Sequence, residues 1–328
     1  MSSPATTLML RVAEATPLNP LIRTFVLRAA DGAALPGFDA GSHLRIRITL
    51  PDGQTDWRHY SLIDPVAGGH AAPPEYRIAV RLEDASRGGS RFMHERVQAG
   101  DTVEIEPPKN EFHLGDHAGC AVLVAGGIGV TPLVSMAAAR KAAGRAVRMH
   151  YAGRSRALMV FLPELRSLLG DALEVHVDDE AGAPLDIAQV LERCGEDDQL
   201  YVCGPKVMLD AVLAQTHARG WARERVHFEV FAPQIQAGGD QPFEVVLAQS
   251  GQRWTVPVGQ SVLDCLIEHG CDPMFDCKRG ECGVCQVPVI EGEIDHRDYY
   301  LSDAEKASGK VMQVCVSRAR GARLVLDI

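Results

Sequence analysis

The sequence predicts a multidomain chain: a small antiparallel β-barrel, then an α/β unit with a parallel sheet, then a short α+β unit. Three observations predict it. Runs alternating apolar and polar residues at period two fill the first 110 residues. Apolar runs then alternate with helical patterns, which implies a parallel sheet with helices on both faces. Residues 232–242, "APQIQAGGDQP", hold few bulky apolar side chains and read as a linker before a last segment that opens with a hairpin. The expected boundaries are 1–112, 113–231, 232–242 and 243–328. A chain of 328 residues accommodates roughly two or three domains.

Within the barrel, "HLRIRITL" (His43 to Leu50), "EYRIAVRL" and "DTVEIEPP" are the clearest strands, separated by turn signals such as "PDG" and "AGD". One helix is expected to start near Ser90 in "GGSRFMHERV". After "PPKNEFHL" the series runs "CAVLVA", a helix from Pro132 to Ala143, "AVRMHYA", the helical "MVFLPELRSLL", "LEVHV", "QLYVC", a helix from Lys206 to Ala218, and "RVHFEVF". The last unit opens with the hairpin "FEVVLAQSGQRWTVPV". A helix follows, with Ser261 as N-cap, an apolar stripe of Val262, Leu263, Leu266 and Ile267, and Gly270 as its stop.

A hydrophobic fraction of 46%, a charged fraction of 23% and a net charge of −10 describe a soluble globular chain. That acidic balance argues against nucleic-acid binding, because no basic surplus exists to neutralise phosphates. The opening "MSSPATTLMLRVAEA" lacks the basic and apolar regions of a secretion signal, so a cytoplasmic protein is expected. The uncharged stretch Cys120 to Ala139 is long enough to span a bilayer. Gly126, Gly127, Gly129 and Pro132 would break a lone helix there, and a buried strand, turn and helix explain it better; no membrane partner is expected.

Of the nine cysteines, six crowd the last quarter, and an odd count without a secretion signal disfavours a disulfide framework. Cys277, Cys282, Cys285 and Cys315 spell C-x4-C-x2-C with a distant fourth, the plant-type 2Fe-2S spacing. That chemistry needs three thiolates on one tight loop and a fourth on a neighbouring element. Gly280 and Gly283 fall where the backbone must curl and bring N–H groups near sulfur. Structural zinc usually takes paired knuckles, and only one C-x2-C exists here. A redox dithiol would sit beside the first strand of a thioredoxin-like unit, which this one does not. Cys271 reads as a small buried residue after a helix.

"VLVAGGIGVTP" is a strand entering a glycine-rich turn and a helix, with Thr131 and Pro132 suited to the N-cap and first helical positions. Such a helix start offers N–H groups to a pyrophosphate. It departs from the dinucleotide fingerprint, since Pro132 replaces the third glycine and "YAGRSR" ends the next strand without an acid. A tight turn remains the other reading. "RHYSL" (Arg58 to Leu62) offers a phosphate-binding cation, an aromatic face and a hydroxyl, though an ordinary amphipathic strand has the same pattern. "RGGS" (Arg87 to Ser90) opens the barrel helix as a second phosphate cradle.

Together with "NEF", "CGP", "VHFEVF", "HRD" and the closing "LVLDI", these motifs resemble the ferredoxin–NADP reductase superfamily. More closely, they are similar to the phthalate dioxygenase reductase and vanillate O-demethylase reductase group, over essentially the whole chain. The resemblance implies an antiparallel β-barrel flavin domain, an α/β nicotinamide domain and an α+β β-grasp 2Fe-2S ferredoxin domain. It implies FMN in the barrel. Arg58 and Ser90 would contact its phosphate with Arg87, Gly88 and Gly89. Tyr60 and Ser61 would line the ring, with Ser61 near N5, Ala79 and Val80 bordering it, Phe231 covering part of it, and His59 beside it in an open role. Gly127, Gly129 and Thr131 would face the dinucleotide phosphates. Cys203, Gly204 and Pro205 would lie by the nicotinamide, making Ser61, Tyr60 and Cys203 the catalytic candidates. Arg154 would lie at the adenosine end with Ser155 and Arg156; the family favours NADH there, with NADPH open.

The implied reaction moves hydride from NADH to FMN and single electrons through the cluster to a separate protein. Plant-type clusters sit near roughly −400 mV, and the charges of Lys278 and Arg279 are expected to raise that value. The same two cations are candidates to meet an acidic patch on the partner, against the plainer reading of a solvated loop. No Rieske or di-iron ligand pattern occurs in the chain, so the acceptor must be another protein. The family implies a Rieske-type oxygenase acting on an aromatic acid, an aryl ether or a quaternary amine, served by a monomeric reductase. Other readings are an FAD reductase for a di-iron monooxygenase, a diaphorase with a vestigial cluster, and a redox sensor.

Overall fold

The computed structural model describes residues 7–66, 68–83, 88–231 and 239–328. The chain divides into two compact units, Met1–Glu229 and Val230–Ile328. Arg87 and residues 232–238 of the expected linker lie outside the described residues.

The first unit begins with β1 (Leu8–Asn19), β2 (Ile22–Ala29), β3 (Ser42–Thr49), β4 (Thr55–Ser61), β5 (Tyr76–Arg81), helix α1 (Gly89–Glu95) and β6 (Thr102–Asn110). The strands form one antiparallel sheet in the order β4-β3-β6-β1-β2-β5. Just past β4, the N–H of Ile63 donates to the carbonyl of Arg77 on β5 at 2.9 Å, so the two edge strands are drawn together. On β3 the alternation is literal: Leu44, Ile46 and Ile48 are buried and Arg47 is exposed.

The same unit continues with β7 (Ala121–Gly126), α2 (Val130–Ala142), β8 (Val147–Gly153), α3 (Leu162–Leu169), β9 (Leu173–Val177), α4 (Asp178–Ala181), α5 (Ile187–Glu192), β10 (Gln199–Cys203), α6 (Lys206–Ala218) and β11 (Val226–Glu229). Its five strands are parallel in the order β11-β10-β7-β8-β9. The short helices α4 and α5 have no counterpart in the sequence reading; each is too short to show a full apolar period. The membrane-like stretch is β7, a 3-10 turn over Gly127–Gly129, and α2, nearly all of it buried. Burying each such Leu or Val side chain contributes about 2 kcal/mol. No helix among the described residues is long and apolar enough to cross a membrane.

Barrel and parallel sheet share one unit because their cores merge. Ile22, Ala40, Ile63, Ala79 and Phe112 belong to the same apolar cluster as Leu123, Leu133 and Val134. Phe112 is the aromatic of "NEF". Asn110 fixes the turn into it, donating to the Ala40 carbonyl and accepting from Phe112 N–H, both at 3.0 Å.

The second unit contains β12 (Phe243–Leu247), β13 (Arg253–Val256), α7 (Val262–Glu268), β14 (Gln286–Glu291), β15 (Ile294–Asp295), α8 (Asp303–Ser308), β16 (Val311–Gln313), β17 (Arg318–Ala319) and β18 (Arg323–Leu326). Its mixed sheet runs β13-β12-β18-β14-β16. Helix α7 buries Val262, Leu263 and Leu266 among Val245, Val287 and Leu324 of that sheet. Ser261 caps α7 by accepting from Asp264 N–H at 2.9 Å, as its sequence position implies.

Candidate functional site

Alternation along β4 places Arg58 and Tyr60 on one face and His59 and Ser61 on the other. The His59 ring meets His43 edge-on, with centroids 4.8 Å apart. Burial pushes the Tyr60 phenol upward, and the nearby Arg58 charge only partly opposes it. Ser61 is 5% exposed, and its hydroxyl finds no hydrogen-bond partner among the described residues. A buried hydroxyl left unmatched costs about 1–3 kcal/mol, so the Ser61 hydroxyl is a donor available to a bound group. Arg58 crosses to the start of α1: a Cβ on Gly89 would lie 2.7 Å from its Nε. Gly88, at φ +99°, turns the chain into that helix, and Ser90 Oγ accepts from the Glu83 N–H at 3.0 Å. Arg58, Gly88, Gly89 and Ser90 thus form one cradle, suited to a phosphate. Ala79 and Val80 are buried on β5.

The glycine turn after β7 is shaped by what lies against it. A Cβ on Gly129 would stand 2.2 Å from the Cys203 carbonyl oxygen, and one on Gly126 would stand 2.5 Å from Pro205. "AGGIG" and "CGP" therefore pack backbone to backbone at the C-terminal ends of adjacent strands, where open α/β sheets bind ligands. Thr131 is not the N-cap. Helix α2 starts at Val130 after the 3-10 turn, and the buried Thr131 hydroxyl donates to the Ile128 carbonyl at 3.0 Å. The 3-10 turn closes the backbone itself, so no side-chain cap is needed.

One serine ties the two cofactor elements together. Ser135 on α2 donates to the carbonyl of Leu62 and accepts from the N–H of Asp64, both at 2.9 Å. The residue following Ser61 is thereby fixed to the helix that follows the glycine turn.

At the far end of β8, Arg154 is exposed. Its neighbour Arg156 pairs with Glu180 through two contacts of 2.9 and 2.6 Å. The acid that the sequence lacks after β8 is thus delivered from α4. Two further residues escaped the sequence reading. Glu229 is a carboxylate only 3% exposed, in register with Cys203 across β10 and β11. An acid ending a parallel strand was the available signal. Ser135 carried none, being one serine in an apolar helix. Phe231 is 40% exposed.

In the second unit the four cysteines lie as two neighbouring pairs. Cys282 brings the Cys277 thiol down to about 5 against its burial, assisted by backbone N–H groups of Arg279, Glu281 and Cys282. Cys315 likewise lowers Cys285, each partner is raised in turn, and Cys285 Sγ donates to Gln313 Oε1 at 3.4 Å. Lys278 at φ +55°, Gly280 at +79° and Gly283 at +77° curl the loop. A Cβ on Gly280 would fall 2.8 Å from Val316 Cγ2, so the loop lies tight against the segment bearing Cys315. Among the described residues no three ligating side chains converge on one point. Four thiols, three on one curled loop and one on the adjoining segment, are the donor set of a plant-type 2Fe-2S centre.

The expectation for Lys278 and Arg279 needs correction. Arg279 is 5% exposed, and its Nε lies 3.0 Å from Glu281. Lys278 Nζ lies 3.1 Å from Asp264 and over the Phe275 ring. Both charges are matched inside the unit. Arg279 is withdrawn from the surface, and Lys278, 41% exposed, carries a charge that Asp264 already matches.

Comparison with known proteins agrees with this geometry. Residues 245–320 match the 2Fe-2S iron–sulfur cluster binding domain, and residues 123–214 match the oxidoreductase NAD-binding domain. The chain is 41% identical to the reductase subunit of a toluene-4-sulfonate monooxygenase system from Comamonas testosteroni, over 92% of this chain and 93% of that one. It is 39% identical to a tetrachlorobenzoquinone reductase from Sphingobium chlorophenolicum, over 100% of both. The solved phthalate dioxygenase reductase, described as modular for electron transfer from pyridine nucleotides to [2Fe-2S], superposes with a TM-score of 0.75 at 36% identity over 98% of each chain. The chain therefore belongs to the phthalate dioxygenase reductase family, as an oxidoreductase with NAD-binding and 2Fe-2S domains.

Proposed function

We propose that this protein is the NADH-dependent reductase component of a Rieske-type oxygenase system, supplying electrons to a separate oxygenase. The observation that carries this reading is the Ser61 hydroxyl, buried without a partner among the described residues at a strand end tied by Ser135 to the glycine-turn helix. When bound, FMN accepts a hydride from NADH and releases its two electrons singly to the 2Fe-2S cluster, which hands each to the acceptor protein. Arg58, Gly88, Gly89 and Ser90 hold the flavin phosphate, aided by Arg87. Tyr60, Ala79 and Val80 border the ring, Phe231 covers part of it, and Ser61 donates to it. Gly127, Gly129 and Thr131 take the dinucleotide phosphates. Cys203, Gly204 and Pro205 bound the nicotinamide, and Glu180 occupies the Arg156 guanidinium that would otherwise take a 2′-phosphate. Cys277, Cys282, Cys285 and Cys315 would hold the 2Fe-2S cluster, which would accept and pass on single electrons. The proposed division is a barrel over 1–112, a nicotinamide domain over 113–231, a linker over 232–242 and a ferredoxin domain over 243–328. The protein acts as a cytoplasmic monomer.

The test is anaerobic stopped-flow of the purified holoprotein with NADH, after acid release identifies the flavin. FMN, followed by flavin reduction and then cluster bleaching faster than turnover with the cognate oxygenase, is the expected result. FAD, or a cluster that NADH never bleaches, overturns it. The full-length likeness to a quinone reductase favours a second reading, in which a quinone accepts electrons directly from the flavin. A Cys282→Ser variant separates the two. It keeps quinone reduction under the second reading and loses oxygenase support under the first.

A further inference from the structure

The connection between the two units leaves β11 at Glu229 and reaches β12 at Phe243. Both ends of that connection are fastened to the second unit. At its start, the N–H of Val230 donates to Oε1 of Glu281, within the cysteine loop. Glu281 is held in turn by Arg279, whose Nε lies 3.0 Å from the other carboxylate oxygen. At its end, the Asp240 carboxylate, 7% exposed, accepts from Nη1 and Nη2 of Arg297 at 3.0 and 2.5 Å. Arg318 Nε lies 3.6 Å from the same carboxylate, and its Nη2 donates to the carbonyls of Gln241 and Pro257 at 3.1 and 3.2 Å. Arg297 and Arg318 are themselves nearly buried, with side chains 10% and 2% exposed.

Buried charges are costly to desolvate, and breaking such a pair by removing one partner leaves an uncompensated charge, so the Asp240–Arg297 contact holds its two segments together. A linker that merely spans two domains needs no such clamps. A free Gly-containing tether would instead leave its ends at an effective concentration set by its length.

We propose that Glu281 is a positioning residue for electron entry into the cluster. By holding Val230, in concert with the Asp240 clamp, it removes the segment between them from the tether, so that the joint between the units is the Glu229–Val230 link. This rests on the electron path proposed above. Glu281 ligates nothing and transfers nothing; it holds the Val230 N–H against the loop that carries Cys277, Cys282 and Cys285.

The test uses the full-length holoprotein in anaerobic stopped-flow, which reads flavin reduction and cluster bleaching separately. In Glu281→Ala, flavin reduction and iron content stay at wild-type values, while bleaching slows about tenfold, the scale set by small misplacements of reacting groups; the midpoint shifts because Arg279 loses its partner, and Glu281→Gln, which removes the same charge, shifts it equally. In Glu281→Gln, whose amide oxygen accepts the same N–H, bleaching recovers. A Gly-Gly-Ser insertion after Gln236 leaves wild-type bleaching unchanged, because the anchors rather than the intervening length bear the geometry. The same insertion in Glu281→Ala slows bleaching further. The proposal is overturned if Glu281→Ala bleaches at the wild-type rate, if its loss tracks iron content, if Glu281→Gln bleaches as slowly as Glu281→Ala, or if the insertion slows the wild type. A wild-type cluster that NADH never bleaches overturns the electron path as well. Normal wild-type bleaching with an indifferent Glu281→Ala overturns the positioning role alone.

Discussion

Gly129 lies so close to Cys203 that a Cβ on it would sit 2.2 Å from that residue's carbonyl oxygen. Backbone faces backbone there, so no side chain can swing away to relieve the clash. Gly129→Ala must push the glycine turn off the end of β10 and displace the N–H groups proposed to take the dinucleotide phosphates. We expect the KM for NADH to rise about tenfold or more while the 2Fe-2S absorption is kept. Gly127→Ala is the control. A Cβ there meets nothing within 4 Å, but φ is +55°. It should cost about 1 kcal/mol of stability with a smaller change in KM. Steady-state kinetics and thermal melting of both variants check the pair.

Ser61→Ala should act with opposite signs on stability and on rate. Removing an unmatched buried hydroxyl relieves its desolvation, so the flavin-free protein should melt higher, by about 2–4 °C per kcal/mol regained. Flavin reduction by NADH in the loaded protein should slow, because the donor to the ring is gone. Melting of the flavin-stripped variant and stopped-flow of the loaded one are the measurements. A lower melting point would show that the hydroxyl has a protein partner.

The cysteines make a sharp separation. Cys282→Ser should abolish the visible iron–sulfur absorption and the bound iron. Cys271→Ser should leave both intact, since Cys271 packs against the apolar core and its thiol is outside the two pairs. Iron and sulfide analysis of the two purified variants decides the ligand set.

Arg156 and Glu180 form an exposed pair, so their effect on coenzyme choice should be modest and salt-dependent. Glu180→Gln frees the guanidinium for a 2′-phosphate. The ratio of kcat/KM for NADPH over NADH should rise about threefold to tenfold at low salt and shrink as salt is added. An unchanged ratio would exclude Glu180 from coenzyme selection.

His150 links pH to the stability of the first unit. It is buried on β8, which lowers its pKa to about 4 despite the Glu174 carboxylate 3.4 Å away. Below the ordinary histidine value of 6.5 the unfolded chain takes up a proton that the folded one refuses. Stability therefore falls as pH drops from about 6.5 towards 4, by up to about 3 kcal/mol. His150→Gln should flatten the drop in melting temperature between neutral pH and pH ~5.

Much of the architecture was legible because it is local. Period-two runs marked β3, β5 and β6, and the Lys206–Ala218 helix matches the expected range. The cysteine spacing identified the loop, since three of four thiols lie on one short segment. Thr131 misled because a 3-10 turn, not a side chain, starts α2. Lys278 and Arg279 misled because the acids that match them, Asp264 and Glu281, are identifiable only from the folded loop.

By itself, then, the sequence determined what depends on neighbours along the chain: strand periodicity, the glycine turn, the helix caps, the C-x4-C-x2-C loop and the order of the cofactor segments. Tertiary structure alone decided what depends on residues far apart in sequence. It set Cys315 beside Cys285, Glu180 on Arg156, Ser135 on the strand end after Ser61, and Asp240 between Arg297 and Arg318. The physical reason is that charge matching and burial are properties of a packed interior. A linear pattern states which groups must be satisfied, and only the fold states by whom.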